Sequence, residues 1–250
     1  MPEQSEGGSF LAPVRRLGGI VLNLFYPPHC ALCGCRIEAE ARGERMVFCE
    51  PCLAGILPPP EHRCPVCSHP MAGLMLCPNC DGRRWHLETI VPACRYEGGV
   101  RGMIQRFKYG RDIALARPLG TLLARALKDP RIAGRTFDGV VPVPLHPKRE
   151  RERGFNQADL LARLLARSTG VPTRDLLKRT RPTLQQAGFD RPHRMENLRG
   201  AFVLRHPMPP DSTLLLVDDV STTGATLNAC AAVLKEAGAA EIAAVVVARG

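Results

Sequence analysis

Aromatic residues are scarce in this chain: phenylalanine, tryptophan and tyrosine make up 5% of it, with a single tryptophan. A surface that stacks successive nucleic-acid bases needs more rings than that, so the composition counts against a stacking platform. No apolar run reaches the roughly 18 residues of a membrane-spanning helix, and no span is expected. The stretch Leu17–Phe25 follows Arg15 and Arg16, but Gly18, Gly19 and Asn23 interrupt it and Pro27-Pro28 closes it. Without a small-residue cleavage site it reads as a short helix in an N-terminal segment, 1–26, rather than as a signal peptide. A Walker loop is also absent, because no G-x-x-x-x-G-K-[ST] occurs.

What is present is ordinary for a folded protein: 45% hydrophobic and 23% charged residues in a chain of 250. The formal charge of +10 favours phosphate-bearing partners, small diphosphates or nucleic acid, and says nothing about fold. Eleven cysteines are more distinctive, nine of them between residues 27 and 86. Eight form the pairs Cys30/Cys33, Cys49/Cys52, Cys64/Cys67 and Cys77/Cys80, written C-x2-C-x15-C-x2-C and then C-x2-C-x9-C-x2-C. A tight turn in each pair points two sulfurs at one centre, and two such turns complete a tetrahedral Zn2+ site. Gly34 and Gly55 lie where such turns need a positive φ.

Two structural zinc ions are expected, in a reducing, cytoplasmic compartment rather than an oxidised scaffold. An iron–sulfur cluster and an interleaved pairing of the four turns are the alternatives. Closed four-thiolate sites leave no open coordination position for catalysis. Cys35 reads as a bystander, Cys94 and Cys230 as small core residues, and His29, His62, His69 and His86 as non-ligands.

Composition changes near residues 87–95, giving a zinc-binding module over 27–86 and a second domain over 87–250. Within the latter, helical spacing is expected over 100–110, 115–128, 155–167 and 225–237. Strands are expected over 137–145, 200–204, 213–217 and 242–247. The alternation predicts an α/β fold, a mostly parallel sheet flanked by helices.

Leu214–Thr226, LLLVDDVSTTGAT, carries the clearest chemistry. A buried strand ends in Asp218-Asp219, turns through Ser221-Thr222-Thr223-Gly224 and enters a helix at Ala225. Small hydroxyl residues and a glycine let backbone N–H groups converge on a phosphate at the positive end of a helix. Two carboxylates just before the loop accept hydrogen bonds from vicinal sugar hydroxyls and assist a Mg2+. An N-cap alone needs one Ser or Thr and does not account for two successive acids.

These thirteen residues resemble the phosphoribosyl-diphosphate-binding signature of type I phosphoribosyltransferases. Further motifs follow in order: RYEG at 95–98, FKYG at 107–110, VPVP at 141–144, RGFNQ at 153–157, RTR at 179–181 with Gln185-Gln186, and RMEN at 194–197 leading to GAF at 200–202. With the cysteine module before them they resemble the ComF (ComFC) family from about residue 20 onward, whose members are associated with natural competence.

The resemblance implies a type I phosphoribosyltransferase fold, with Asp218 and Asp219 on the ribose hydroxyls and Ser221, Thr222, Thr223, Gly224, Ala225 and Thr226 around the 5-phosphate. It implies a pyrophosphate contact for the loop after Pro144, which carries Lys148, Arg149, Arg151 and Arg153. Residues 174–205, with eight basic against three acidic side chains, resemble a basic lid including Arg179, Arg181 and Arg194. Phosphoribosyl diphosphate with Mg2+ is the ligand so implied. Single-stranded DNA and other competence proteins are the further partners the resemblance suggests, the alternative being a non-catalytic single-stranded DNA-binding competence protein that uses the pocket for ligand sensing. No residue declares itself as a general base, and none names an acceptor.

Overall fold

The computed structural model describes residues 28–37, 47–71, 73, 75–181, 198 and 200–250. The expected helix over 17–25 lies outside them, as do Gln185, Gln186, Arg191, Arg194 and Arg199. The chain divides into two compact units, Met1–Gly55 and Ile56–Gly250.

In the first unit, a bridge between His29 and Arg36 closes a turn, and Ala31 N–H donates to Val47 C=O. Helix α1 (Glu50–Ala54) follows, starting from Cys49 with Pro51 in its first turn, where a missing N–H costs nothing. Gly34 has the expected left-handed φ of 75°. Gly55 does not: at φ −76° it simply ends α1.

The second unit is built on a four-stranded sheet. Its strands are β1 (Thr89–Arg95), β2 (Gly139–Pro142), β5 (Thr213–Ser221) and β6 (Glu241–Arg249), in the order β1-β6-β5-β2. Every pairing is parallel. The strands are therefore buried on both faces and read as continuous apolar runs, Ile242–Ala248 most plainly. Helices α2 (Gly98–Tyr109) and α3 (Ala116–Ala126) lie between β1 and β2, and α4 (Pro147–Arg153) and α5 (Gln157–Thr169) follow β2. A separate antiparallel pair, β3 (Leu177–Arg179) and β4 (Phe202–Leu204), precedes β5, and α6 (Ala225–Glu236) connects β5 to β6.

One face is covered by α3 and α5, which approach closely at Gly120: a Cβ there would stand 2.9 Å from Leu164. The other is covered by α6, whose Leu227, Cys230, Ala231 and Leu234 join Leu214, Leu216, Ala244 and Val246 in one core.

Strand β1 has no counterpart among the strands expected from sequence; it falls in the segment 87–95, where composition changes. The expected strand over 137–145 shortens to four residues, and the one over 213–217 extends through both aspartates to Ser221. Because all four strands run the same way, their carboxyl ends share one edge. Asp218–Ser221, Arg249 and the segment after Pro142 meet there, where parallel α/β sheets bind ligands.

Candidate functional site

The cysteines gather into two groups of four, Cys30/Cys33/Cys49/Cys52 and Cys64/Cys67/Cys77/Cys80, each with its sulfurs within 4.8 Å of one another. The pairing is sequential, so the interleaved alternative is excluded. Sulfurs approach to 3.6 Å between Cys33 and Cys49, Cys64 and Cys80, and Cys67 and Cys77. Four thiolates converging on one point are a soft tetrahedral donor set that fits Zn2+. No histidine belongs to either group among the described residues. Cys35 stays outside the first quartet, and its backbone and side chain help hold the Cys33 thiol below its ordinary range.

At the carboxyl edge of the sheet, β5 delivers Asp218 and Asp219. The Asp219 N–H donates to Asp218 Oδ1 at 2.8 Å, which turns the Asp218 carboxyl back over its own strand. Burial, reinforced by the neighbouring Asp219, pushes Asp218 up to about 7, with Lys108 opposing the rise. Beyond the pair, the Ser221 hydroxyl is buried without a hydrogen-bond partner among the described residues. Thr222 is exposed, and Gly224 (φ 74°) opens α6. Gly224 is required twice over: its φ is left-handed, and a Cβ would lie 2.6 Å from Ile90 Cδ1 and 2.9 Å from the Trp85 ring. Asn228 N–H returns to Gly224 C=O, so α6 begins with its free N–H groups facing the turn.

Cations approach the acids from three elements. Lys108, in the last turn of α2, forms a 2.7 Å ion pair with Asp219, both side chains largely buried. Burial alone would lower Lys108, but the Asp219 and Asp218 carboxylates more than offset it and hold the ammonium charged. The segment 147–153 is a helix, not the loop expected from sequence. His146 caps it, and it ends at Gly154, φ 85°. That helix sorts its charges: Arg149 and Arg153, four apart, are half-buried, whereas Lys148 and Arg151 are exposed.

Arg153 stacks over Tyr109 at 5.2 Å and donates to Gln157 Oε1 at 3.0 Å. Arg179, at the end of β3, is buried over the Phe202 ring at 5.3 Å, and its charge is felt by Asp218, Arg149 and Arg153. Lys108 and Arg179 thus act on the acid pair, with Arg149 and Arg153 close enough to act on those two cations. Arg181 is exposed, its guanidinium near Gly200. Sequence reading assigns Lys108 no role. The signal that finds it is a cation in the last turn of a helix ending at the sheet's carboxyl edge.

Comparison with known proteins agrees with this geometry. The model of the phosphoribosyl transferase domain matches residues 151–250, and that of the double zinc ribbon domain matches 21–81. Competence protein F of Haemophilus influenzae is 35% identical over 190 residues, 71% of this chain and 82% of that protein. The DNA utilization protein YhgH of Escherichia coli is 33% identical over 183 residues, 72% of this chain and 80% of its own length. Competence protein ComFC of Bacillus subtilis is 25% identical over 235 residues, 84% of this chain and 90% of that one. With two ribbons of thiolates ahead of a parallel sheet that ends in an acid pair and a small-residue loop, the chain belongs to the ComF family of competence proteins.

Proposed function

We propose that the site binds phosphoribosyl diphosphate with Mg2+ and serves natural competence, the handling of incoming DNA. The carrying observation is the acid pair at the end of β5, followed at once by the Gly224 loop and acted on by Lys108 and Arg179, with Arg149 and Arg153 close to those two cations. In this reading the loop 221–226 takes the 5-phosphate through backbone N–H groups and hydroxyls, with the unpartnered Ser221 Oγ among them. Asp218 and Asp219 take the ribose hydroxyls. The same two carboxylates would hold Mg2+ together with the ligand's own oxygens, a donor set that suits this hard cation. The ion would supply charge neutralisation of the diphosphate.

Arg149, Arg153 and Arg179 are set to stabilise pyrophosphate as it leaves C1 when a nucleophile attacks. Positioning and cationic stabilisation are then the main catalytic contributions. Lys108 neutralises Asp219 in the free protein and becomes available to the ligand when sugar hydroxyls or Mg2+ engage that carboxylate. Calorimetric titration with phosphoribosyl diphosphate and Mg2+ tests the site. Binding in the unmodified chain and its loss in Asp218→Asn/Asp219→Asn, with the fold kept, is the expected result; equal binding in both places the ligand elsewhere.

A second reading is single-stranded DNA along the cationic surface, favoured by the charge of +10 and by relatives named for competence and DNA utilization. Arg179→Ala and Arg181→Ala, each removing one cation from a backbone phosphate, would then flatten the salt dependence of oligonucleotide binding by about 0.7 counterion apiece. An unchanged salt slope rejects it.

A further inference from the structure

The second thiolate quartet and the phosphate loop are built into one another. Asn79, inside the turn Cys77–Cys80, is 1% exposed. Its amide donates to the Thr223 carbonyl at 3.1 Å, and the same side chain favours the Cys67 thiolate against the rise that burial imposes. One side chain therefore joins a metal ligand to the middle of the loop. Arg83 donates to the same carbonyl at 3.4 Å. The first turn of α6 is tied down by Asn228, which accepts from His86 N–H at 2.7 Å and donates to Arg84 C=O at 2.9 Å.

From the other side comes Arg249, the last residue of β6, in register with Ser221 at the root of the loop. Arg249 is 7% exposed, and its Nε, Nη1 and Nη2 are buried and lack hydrogen-bond partners among the described residues. Burial opposes its charge, and the thiols of Cys67, Cys77, Cys64 and Cys80 are the groups that favour it. A buried cation with no partner is strongly unfavourable. A Zn2+ held by four thiolates carries two net negative charges, and that dianion is the counter-charge the Arg249 environment calls for.

We propose that the second zinc centre is a wall of the phosphate loop. Asn79 and Arg249 are the positioning residues through which metal occupancy sets the loop's shape, and so its affinity for a ribose 5-phosphate group. The ligand named here rests on the function proposed above; the coupling of metal to loop does not. Trp85 and Ile90 would pack on Gly224 with or without metal, so Asn79 and Arg249 are what make the loop sensitive to it.

The test uses the zinc-loaded full chain and the variants Asn79→Ala, Arg249→Met and Arg249→Lys. Zinc is counted by metal analysis, amide hydrogen exchange is followed at 222–226, and phosphoribosyl diphosphate is titrated with Mg2+. Asn79→Ala keeps two zinc ions, yet exchange at 222–226 quickens about five- to tenfold and affinity falls by a similar factor, as removal of one buried hydrogen bond implies. Arg249→Met loses the second zinc to a chelator at least about tenfold faster, as expected for an outer partner of a metal site, and Arg249→Lys recovers part of the difference.

Reciprocity gives a readout that a merely structural role would not move. Ligand protects the second zinc from chelation in the unmodified chain and protects it less in Asn79→Ala. Unchanged exchange at 222–226 in Asn79→Ala, or after the second zinc is stripped, overturns the proposal. Should Arg249→Met fail to fold, Asn79→Ala and Arg249→Lys still decide. If the unmodified chain fails to bind phosphoribosyl diphosphate, the functional reading falls while the exchange measurements still decide the coupling.

Discussion

The two cysteine quartets share one sequence grammar and differ in what surrounds them. The residue after the second cysteine of the leading pair is left-handed in both, Gly34 at φ 75° and Ser68 at φ 57°. Around Gly34, nothing among the described residues lies within 4 Å of an added Cβ. Ser68 is fully buried, and its hydroxyl donates to the Ile90 carbonyl of β1 at 2.6 Å. Val66 C=O accepts from Ile90 N–H at 2.7 Å, and Thr89 Oγ1 donates to Pro65 C=O at 2.7 Å. The second turn thereby covers the outer edge of β1, which would otherwise offer a row of unpaired backbone groups. A residue that tolerates strain is kept where its side chain makes a bond the fold uses, and glycine serves where none is made.

The sharpest way to break this comparison is to remove one metal at a time. Cys77→Ser should destabilise 56–250 by more than about 4 kcal/mol, since it removes both zinc binding and the counter-charge of a buried arginine. Cys49→Ser should raise hydrogen exchange only over 28–55. Equal losses over 56–250, read by segment-resolved exchange and thermal melting, would erase the distinction.

Next come two glycines of nearly equal φ. Gly34→Ala meets only backbone strain, about 1–2 kcal/mol. Gly224→Ala adds overlap with Ile90 and Trp85, should cost about 3 kcal/mol or more, and should abolish ligand binding. Thermal melting of both variants, with a ligand titration of the second, measures the difference.

Acidity gives a third contrast, because Asp218 belongs to the second unit. Its carboxyl is raised to about 7 in the folded protein, against about 3.9 when unfolded. The folded state therefore holds the extra proton. The associated stability is fully present below about pH 4 and is lost as pH rises through about 7. Ligand affinity should run the other way, rising through pH 7 as the carboxylate forms. Lys108→Met should shift that midpoint upward, and Asp218→Asn should remove it; calorimetry across pH 5.5 to 8.5 measures both.

The smallest effects belong to α4. Arg149→Ala and Arg153→Ala should each weaken diphosphate binding about tenfold, the usual cost of deleting a charge-assisted hydrogen bond. Lys148→Ala and Arg151→Ala should change stability by less than about 0.5 kcal/mol and leave affinity nearly unchanged.

Much of this was legible in residues alone. Four C-x-x-C turns state their chemistry locally, and two acids before a loop of small residues mark the end of a strand, because each needs only neighbouring positions. The parallel sheet follows from alternating helix and strand patterns. Three features were not readable, each for a reason of distance. Strand β1 hides beside the cysteine-rich segment with Pro92 inside it, and only pairing with β6 makes it a strand. Lys108 acquires a role through a carboxylate more than a hundred residues away. Within α4 the sequence KRERER offers four cations of equal standing, and only the helix, not visible in alternating charges, separates the inward pair from the outward one.

Trp85, the single tryptophan of the chain, lies with its ring edge against Gly224 and its indole N–H buried without a partner among the described residues. The protein thus carries one indole fluorophore, and it sits on the turn proposed to receive an anion. Any rearrangement of that turn changes the polarity and quenching around one emitter, with no second indole to dilute the signal. Emission intensity and wavelength become a label-free optical record of occupancy. Time-resolved mixing can then separate arrival of the ligand from the settling of the backbone beneath it.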